Sequence, residues 1–149
     1  TLMEQYEKGD ISTDEFINTI LQYASQETTR EDVIAAWNAM HGGIPAERLE
    51  QIKQWKAAGH RLFLLSNNNE LHWEDINQVY DMSVFEHCLA SHLMHASKPA
   101  LSIYESVDAH LKSLGCEEPF HFVDDIAINR HVAEILGWVT YPTLNDVPV

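Results

Sequence analysis

After Gly59, short apolar runs alternate with amphipathic segments, and this alternation constrains the fold of the chain most strongly. The four runs are RLFLL from Arg61, HCLASH from His87, FHFV from Phe120 and WVTY from Trp138. Each run is short enough to be a strand, and helical spacing of apolar residues separates one run from the next. Strands that alternate with helices predict a parallel sheet with helices on both of its faces. RLFLL, which is apolar almost throughout, is typical of a strand buried on both faces.

The first third of the chain has helical patterns only. Two capping-box signals open its helices, Ser12 with Glu15 and Thr28 with Glu31. Each signal is followed by apolar residues at helical spacing. We therefore expect residues 1–44 to form a small helical appendage and residues 45–149 to form the α/β core.

The charge of the chain excludes several classes of function. Lys and Arg number 9 against 23 Asp and Glu, which gives a formal net charge of −14 among 149 residues. Nucleic acids and anionic membranes are bound by clustered cations, so we expect neither as a partner. No apolar run approaches the length of a membrane span, and the two cysteines suggest no disulfide framework. A cytoplasmic protein is the expectation.

Polar residues follow three of the predicted strands. Ser66 and Asn67 come after RLFLL, Lys98 comes after HCLASH, and Asp124 and Asp125 come after FHFV. Ligands of open parallel sheets bind at the carboxyl ends of the strands. A hydroxyl, an amide and a lysine suit phosphate oxygens, and paired carboxylates suit Mg²⁺, which would relieve their mutual repulsion. Mg²⁺ and phosphate together predict phosphoryl-transfer chemistry.

Each of these features also has a purely structural interpretation. The aspartate pair could stabilise the first turn of a helix, because carboxylates favour that end of the helix dipole. The asparagines after Ser66 are typical of a turn with a helix cap, and Lys98 could be an ordinary surface lysine. His72 and Trp73, which follow that turn, could contact a substrate or pack in the interior.

Three stretches of the sequence resemble motifs of the haloacid dehalogenase (HAD) superfamily. LFLLSNNNELHW looks like the second motif, ASHLMHASKPALSIYESV like the third and FHFVDDIAINRHVAEILGW like the fourth. The resemblance is strongest to the branch of bacterial sugar-phosphate phosphatases and the amino-terminal phosphatase domain of soluble epoxide hydrolase. It implies a Rossmann-like parallel sheet, with residues 1–44 as part of a small helical cap.

The resemblance also implies a role for each matching residue. Ser66 would hydrogen-bond the transferring phosphoryl group, with Asn67 contributing beside it, and Lys98 would pair with the phosphate. Asp125 would bind Mg²⁺ directly, and Asp124 would assist directly or through water. Asn129 matches a position that would support the metal loop by hydrogen bonding.

The sequence departs from the family at its first motif. That motif is an apolar strand followed by Asp-x-Asp, whose first aspartate is the nucleophile. Asp10 and Asp14 do not replace it, because no strand pattern precedes them. We expect the chain to be an incomplete member that lacks the central first strand of the sheet. Exposed strand edges could then favour a homodimer.

Four functions remain open from the sequence. The resemblance implies a Mg²⁺-dependent phosphatase that acts on a small phosphorylated metabolite, such as a sugar phosphate, through an aspartyl-phosphate. The missing motif favours instead an inactive descendant that binds phosphate or a protein partner. A dehalogenase is disfavoured, because such enzymes need no metal. A phospho-receiver domain is disfavoured, because its acidic pair precedes its hydroxyl and lysine.

Overall fold

The computed structural model describes residues 1–148, which form two compact units, Thr1–His95 and the described residues from Ala96 onward. The last residue, Val149, which ends the predicted core, lies outside the described residues. The first unit therefore contains the predicted cap together with the first half of the predicted core. The predicted boundary at residue 44 stays a prediction.

Of the eight α-helices and four strands within residues 1–148, the first unit contains six helices and two strands. In chain order they are α1 Leu2–Glu7, α2 Thr13–Leu21, α3 Arg30–Asn38, α4 Ala46–Ala57, β1 Phe63–Ser66, α5 Glu70–Val79, β2 His87–Ala90 and α6 Ser91–Met94. A 3₁₀ turn at Met82–Val84 precedes β2. The last two residues of the HCLASH run are helical, so the predicted strand is two residues too long.

Strands β1 and β2 run parallel, with Phe63 opposite His87 and Ser66 opposite Ala90. The helix α5 connects them, as the alternating pattern predicts. All four residues of β1 are half-buried, so the expectation of a strand buried on both faces is wrong. Strand β1 pairs along one edge with β2, and within residues 1–148 no further strand extends that pair.

Helices α1, α2, α3 and α5 each follow a residue whose side chain accepts a hydrogen bond from the first helical turn. The predicted capping box of Ser12 and Glu15 is present at the start of α2. The box before α3 is formed by Thr29 and Asp32, one residue later than predicted. Thr28 instead belongs to the preceding turn, where its N–H donates to the carbonyl of Ser25.

A cluster of buried side chains holds these helices together, and α5 contributes to it. Its members are Tyr6, Phe16, Ile17, Val33 and Leu71. The rings of Tyr6 and Phe16 stack with centroids 4.1 Å apart, and the Tyr6 hydroxyl accepts a hydrogen bond from the N–H of Leu71. The α1–α3 segment therefore shares its core with the helix that follows β1.

The second unit repeats the strand–helix–strand arrangement. Its elements are α7 Leu101–Ser113, β3 His121–Val123, α8 Ala127–Ile135 and β4 Val139–Tyr141, followed by a 3₁₀ turn at Leu144–Asp146. Strands β3 and β4 are parallel, with His121 opposite Val139. Tyr104, Phe122 and Trp138 pack edge to face in its core. Both units thus have parallel strands joined by helices, and the predicted α/β class is confirmed.

None of the helices within residues 1–148 is long and apolar enough to cross a membrane.

Gly9 is a position where the backbone itself requires glycine. Its φ is +68°, and a Cβ there would collide with the backbone carbonyl of His92. We expect Gly9→Ala to lower the free energy of unfolding by more than about 2 kcal/mol, as the collision adds to the cost of a left-handed alanine. The measurement is denaturant unfolding of the purified chain.

The matched control for this prediction is Gly115→Ala. Gly115 has a φ of +72°, but a Cβ there meets nothing within 4 Å. It isolates the conformational cost, for which about 1 kcal/mol is expected. Equal losses in the two variants would contradict the close approach of Gly9 to His92.

Candidate functional site

Lys98 lies just before α7 and forms a buried ion pair with the end of β3. Its Nζ donates to Oδ2 of Asp124 at 2.6 Å, and the two side chains are only 11% and 5% exposed. The same Nζ lies 5.6 Å from the centroid of the Phe122 ring. Lys98 is therefore not an ordinary surface lysine. Its charge is held inside the second unit against a carboxylate and an aromatic face.

Asp124 has a hydrogen-bond partner on each of its carboxylate oxygens. Its Oδ1 accepts from the N–H of Ile126 at 2.9 Å, and the Asn129 amide donates to Oδ1 and Oδ2 at 3.0 and 3.1 Å. Burial acts to raise the pKa of Asp124, but the bonds from Lys98, Ile126 and Asn129 outweigh it and lower that pKa. Asp124 is thus held as an anion.

Asp125 faces solvent, in contrast to its neighbour. The Arg130 guanidinium fixes the backbone between them, because it donates to the carbonyl oxygens of Asp124 and Asp125 at 2.7 and 2.9 Å. The adjacent carboxylates therefore point to different surroundings, one buried against Lys98 and one exposed. The charge of Lys98 relieves the repulsion between the two carboxylates, from which the sequence analysis predicted a metal.

The residues at the end of β3 fit part of a Mg²⁺ site. No group of three or more His, Cys, Asp or Glu side chains in the described part of the chain is placed to hold a metal. Mg²⁺ in phosphoryl-transfer sites is commonly bound by one or two carboxylates, with water and substrate phosphate completing the shell. Asp125 offers an exposed carboxylate for this purpose, whereas the oxygens of Asp124 are engaged by Lys98 and Asn129.

Ser66 and Asn67 end β1 in the first unit. The Ser66 side chain is half-buried, and Asn67 is exposed. The Ser66 hydroxyl donates to the carbonyl of Asn67 at 3.4 Å, which is long for a hydroxyl donor. A bond of this length is readily exchanged for a stronger acceptor such as a phosphate oxygen.

The next two asparagines are buried and hold this turn in place. The N–H of Asn68 donates to the Ser91 hydroxyl at 2.9 Å, and Asn69 caps α5 by accepting from the N–H of His72 at 3.1 Å. The sequence interpretation of the asparagine run as a turn with a helix cap is therefore correct for Asn69. It applies to a different residue from those expected to bind phosphate.

The structure groups the predicted site residues within each unit. Lys98 and Asn129 both hydrogen-bond Asp124 in the second unit, and Asp125 is the next residue along the chain. Ser66 and Asn67 are adjacent in the first unit. Their predicted roles toward phosphate and metal stay predictions.

Two residues near Asp124 have no role predicted from the sequence, although both lie in stretches that resemble family motifs. Nothing in the spacing of Arg130 indicates a bond to backbone carbonyls. Tyr104 fits the apolar stripe of α7, yet its fully buried hydroxyl has no hydrogen-bond partner among the described residues. Burial and the Asp124 charge both raise the pKa of Tyr104.

Comparison with known proteins places this arrangement in a family. A HAD family enzyme from Bacteroides thetaiotaomicron, solved as a magnesium complex, is 30% identical to the chain. The alignment has a TM-score of 0.82 and covers 93% of this chain and 72% of that one. The chain belongs to the HAD superfamily.

A second structure of this enzyme and a structure of another HAD-like protein match the chain over a similar length. The same B. thetaiotaomicron enzyme, in complex with magnesium and inorganic phosphate, is 28% identical with a TM-score of 0.83 and covers 97% of this chain and 75% of that one. A predicted HAD-like family hydrolase from Porphyromonas gingivalis is 29% identical, with a TM-score of 0.77 and coverage of 98% and 73%.

A curated relative adds a substrate to the comparison. The D-ribitol-5-phosphate phosphatase of B. thetaiotaomicron is 25% identical over 158 residues, which cover 97% of this chain and 72% of that protein. No family model matches the chain. The sequence-based recognition of a HAD-like chain, with sugar-phosphate phosphatases among its relatives, is confirmed.

The neighbouring aspartates give a matched pair of variants. We expect Asp124→Asn to lower the free energy of unfolding by about 3 kcal/mol, because it leaves the Lys98 charge buried without its counter-ion. Asp125→Asn should change it by less than about 0.5 kcal/mol, because that side chain is exposed. Urea unfolding of both variants measures this difference. Similar losses in the two would contradict the division into a buried and an exposed carboxylate.

Proposed function

We propose that this chain carries the phosphate- and metal-binding residues of a Mg²⁺-dependent HAD phosphatase that acts on a small phosphorylated metabolite. The observation that carries the proposal is that, of the two adjacent aspartates at the end of β3, Asp124 is buried and Asp125 is exposed. Asp124 holds the Lys98 ammonium in place at 2.6 Å, and this leaves the Asp125 carboxylate exposed for a cation. The magnesium and phosphate complexes of the B. thetaiotaomicron HAD enzyme support this assignment.

Each residue has a defined part in the proposed site. Asp125 would hold Mg²⁺, with Asp124 assisting through water. The bound metal would supply positive charge that stabilises the transferring phosphoryl group. Lys98 would contribute a further fixed charge, and Ser66 and Asn67 would donate hydrogen bonds to phosphate oxygens. Asn129 and Arg130 orient the loop through the side chain and backbone of Asp124.

The substrate class follows from relatives and not from a pocket. The D-ribitol-5-phosphate phosphatase supports a sugar phosphate or polyol phosphate as the substrate. The small helical segment before Pro45 is expected to select among such compounds. The strongly acidic surface requires that the phosphate be attracted locally, through Lys98 and the metal.

The proposed phosphatase needs a nucleophilic aspartate, which the family carries in an Asp-x-Asp motif. The 149 residues contain no Asp-x-Asp. We propose that turnover needs an aspartate from a segment other than these 149 residues, delivered at the end of an apolar strand. The same observation supports a second candidate function, a phosphate-binding protein without catalysis.

Hydrolysis separates these two candidates. The chain of 149 residues is assayed with p-nitrophenyl phosphate and ribitol 5-phosphate, with and without Mg²⁺, beside Asp125→Asn. We expect no turnover above that variant, and Mg²⁺-dependent turnover once an apolar strand ending in Asp-x-Asp is fused ahead of Thr1. Mg²⁺-dependent turnover by the unextended chain, lost in Asp125→Asn, would show that a nucleophile lies within it. An inactive fusion would favour the non-catalytic candidate.

Binding of inorganic phosphate tests the site without requiring catalysis. We expect Lys98→Met to weaken Mg²⁺-supported phosphate binding about tenfold, because a charge-assisted hydrogen bond is lost. Lys112→Met is the control, since Lys112 pairs with Asp108 and Glu118 at a partly exposed position. Calorimetry measures the affinities, and circular dichroism checks that both variants fold. Equal affinities in the two variants would overturn the role of Lys98.

A further inference from the structure

The turn that carries Ser66 and Asn67 continues into a buried asparagine whose amide is hydrogen-bonded at both its oxygen and its nitrogen. Asn69 is 1% exposed. Its Oδ1 accepts from the indole Nε1–H of Trp37 and from the backbone N–H of His72, both at 3.1 Å. Its Nδ2 lies 3.2 Å from Nδ1 of the same His72 ring. Asn69 therefore joins helix α3 to the start of helix α5.

These contacts fix the orientation of the amide and the position of the histidine proton. An indole N–H and a backbone N–H can only donate, so the oxygen of the Asn69 amide must face them. Its nitrogen then donates to Nδ1 of His72, which must accept. The ring proton is consequently on Nε2, which lies 2.7 Å from the carbonyl oxygen of Trp37. All four of these hydrogen bonds form together in one protonation state of His72.

The network is continuous with the predicted phosphate-binding turn. Asn69 is two residues beyond Asn67, and its N–H donates to Oδ1 of Asn68 at 2.9 Å. Asn68 in turn is bonded through its N–H and its carbonyl to the Ser91 hydroxyl, each at 2.9 Å. A displacement of Asn69 would therefore shift the backbone at Asn67.

We infer that Trp37, Asn69 and His72 are positioning residues for the Ser66–Asn67 turn, and that they hold it in place only while the His72 ring is neutral. The inference rests on the proposed phosphate-binding function of that turn. It adds to that function a set of residues that contact no substrate, and a dependence of phosphate binding on pH.

Protonation of His72 would break the network at a defined atom. A proton on Nδ1 would face Nδ2 of Asn69, so that two donors oppose each other where a hydrogen bond now exists. The ring also stacks on Trp37 with centroids 5.2 Å apart, which leaves it little freedom to turn away. The lost bond is the one to the Asn69 amide nitrogen, which leaves only the two bonds to its oxygen.

The groups around His72 favour its neutral form. Burial lowers the pKa of His72 and the nearby His41 lowers it further, while the Trp37 carbonyl and Asp75 act in the opposite direction. The His41 ring is 5.0 Å from that of His72, and its Nε2 lies 2.8 Å from the Asp75 carboxylate. The pKa of His72 in the fold is below its unfolded value. Its contribution to stability is therefore present above that unfolded value and is lost as the pH falls through the folded pKa.

The experiment is a pH titration of the chain followed by NMR. It monitors the His72 ring, the Trp37 indole N–H and the backbone amides of Ser66 and Asn67. We expect all of these signals to shift with one midpoint, below the ordinary histidine pKa of about 6.5. The shifts of the turn should vanish in His72→Gln, which cannot titrate. They should persist in His60→Gln, which removes an exposed histidine from a loop.

Binding of sulfate, whose charge is constant over this pH range, supplies the functional readout. We expect its affinity to fall about fivefold more in the wild-type chain than in His72→Gln on passing from above to below the His72 midpoint. Global unfolding, measured by circular dichroism in the same samples, should not coincide with that midpoint.

The outcomes separate this inference from the proposed function. Titration of His72 without a response at Ser66 and Asn67 would overturn the positioning role, whether or not sulfate binds. A fall in sulfate affinity that is the same in His72→Gln would also overturn it. If sulfate binds at no pH, the phosphate-binding role of the turn is overturned, and the coupled amide shifts alone decide whether the network positions it.

Discussion

The buried ion pair between Lys98 and Asp124 is the interaction on which the arrangement at the end of β3 depends. A lysine and an aspartate at this degree of burial are tolerated because each satisfies the other and because Ile126 and Asn129 complete the carboxylate's bonds. The pair fixes the start of α7 against β3. It also determines which of two adjacent aspartates is available to a cation, and so links the stability of the second unit to its proposed chemistry.

The first unit uses buried polar groups for a similar purpose. Asn69 and Ser91 lie in the interior, where unpaired amides and hydroxyls would be costly, and their bonds tie the turn after β1 to α1 and α3. The three asparagines after Ser66 thus differ in burial. Asn67 is exposed, whereas Asn68 and Asn69 are buried and hold the backbone of the turn. The helical segment before Pro45 consequently takes part in shaping the turn.

The local patterns of the sequence predict the elements well, because strand length, helical spacing and glycine stops act over few residues. Strands β1, β3 and β4, the capping box of Ser12 and the recognition of the family all follow from such patterns. Contacts between residues that are far apart in the sequence do not follow from local patterns. The bond of Trp37 to Asn69 spans 32 residues and that of Lys98 to Asp124 spans 26, and neither has a periodic signal. The half-burial of β1 depends on its neighbours in the sheet and likewise is not encoded in its own apolar run.

The central claim is that Asp125, and not the buried Asp124, is the exposed carboxylate that receives a divalent cation. Mn²⁺ prefers the same oxygen ligands as Mg²⁺, and it broadens the NMR signals of nearby nuclei. Titration of the chain with Mn²⁺ should broaden the backbone amides of Asp125 and Ile126 first, and Asp125→Asn should abolish that selectivity. Broadening spread evenly over the acidic surface, or unchanged in Asp125→Asn, would contradict the account.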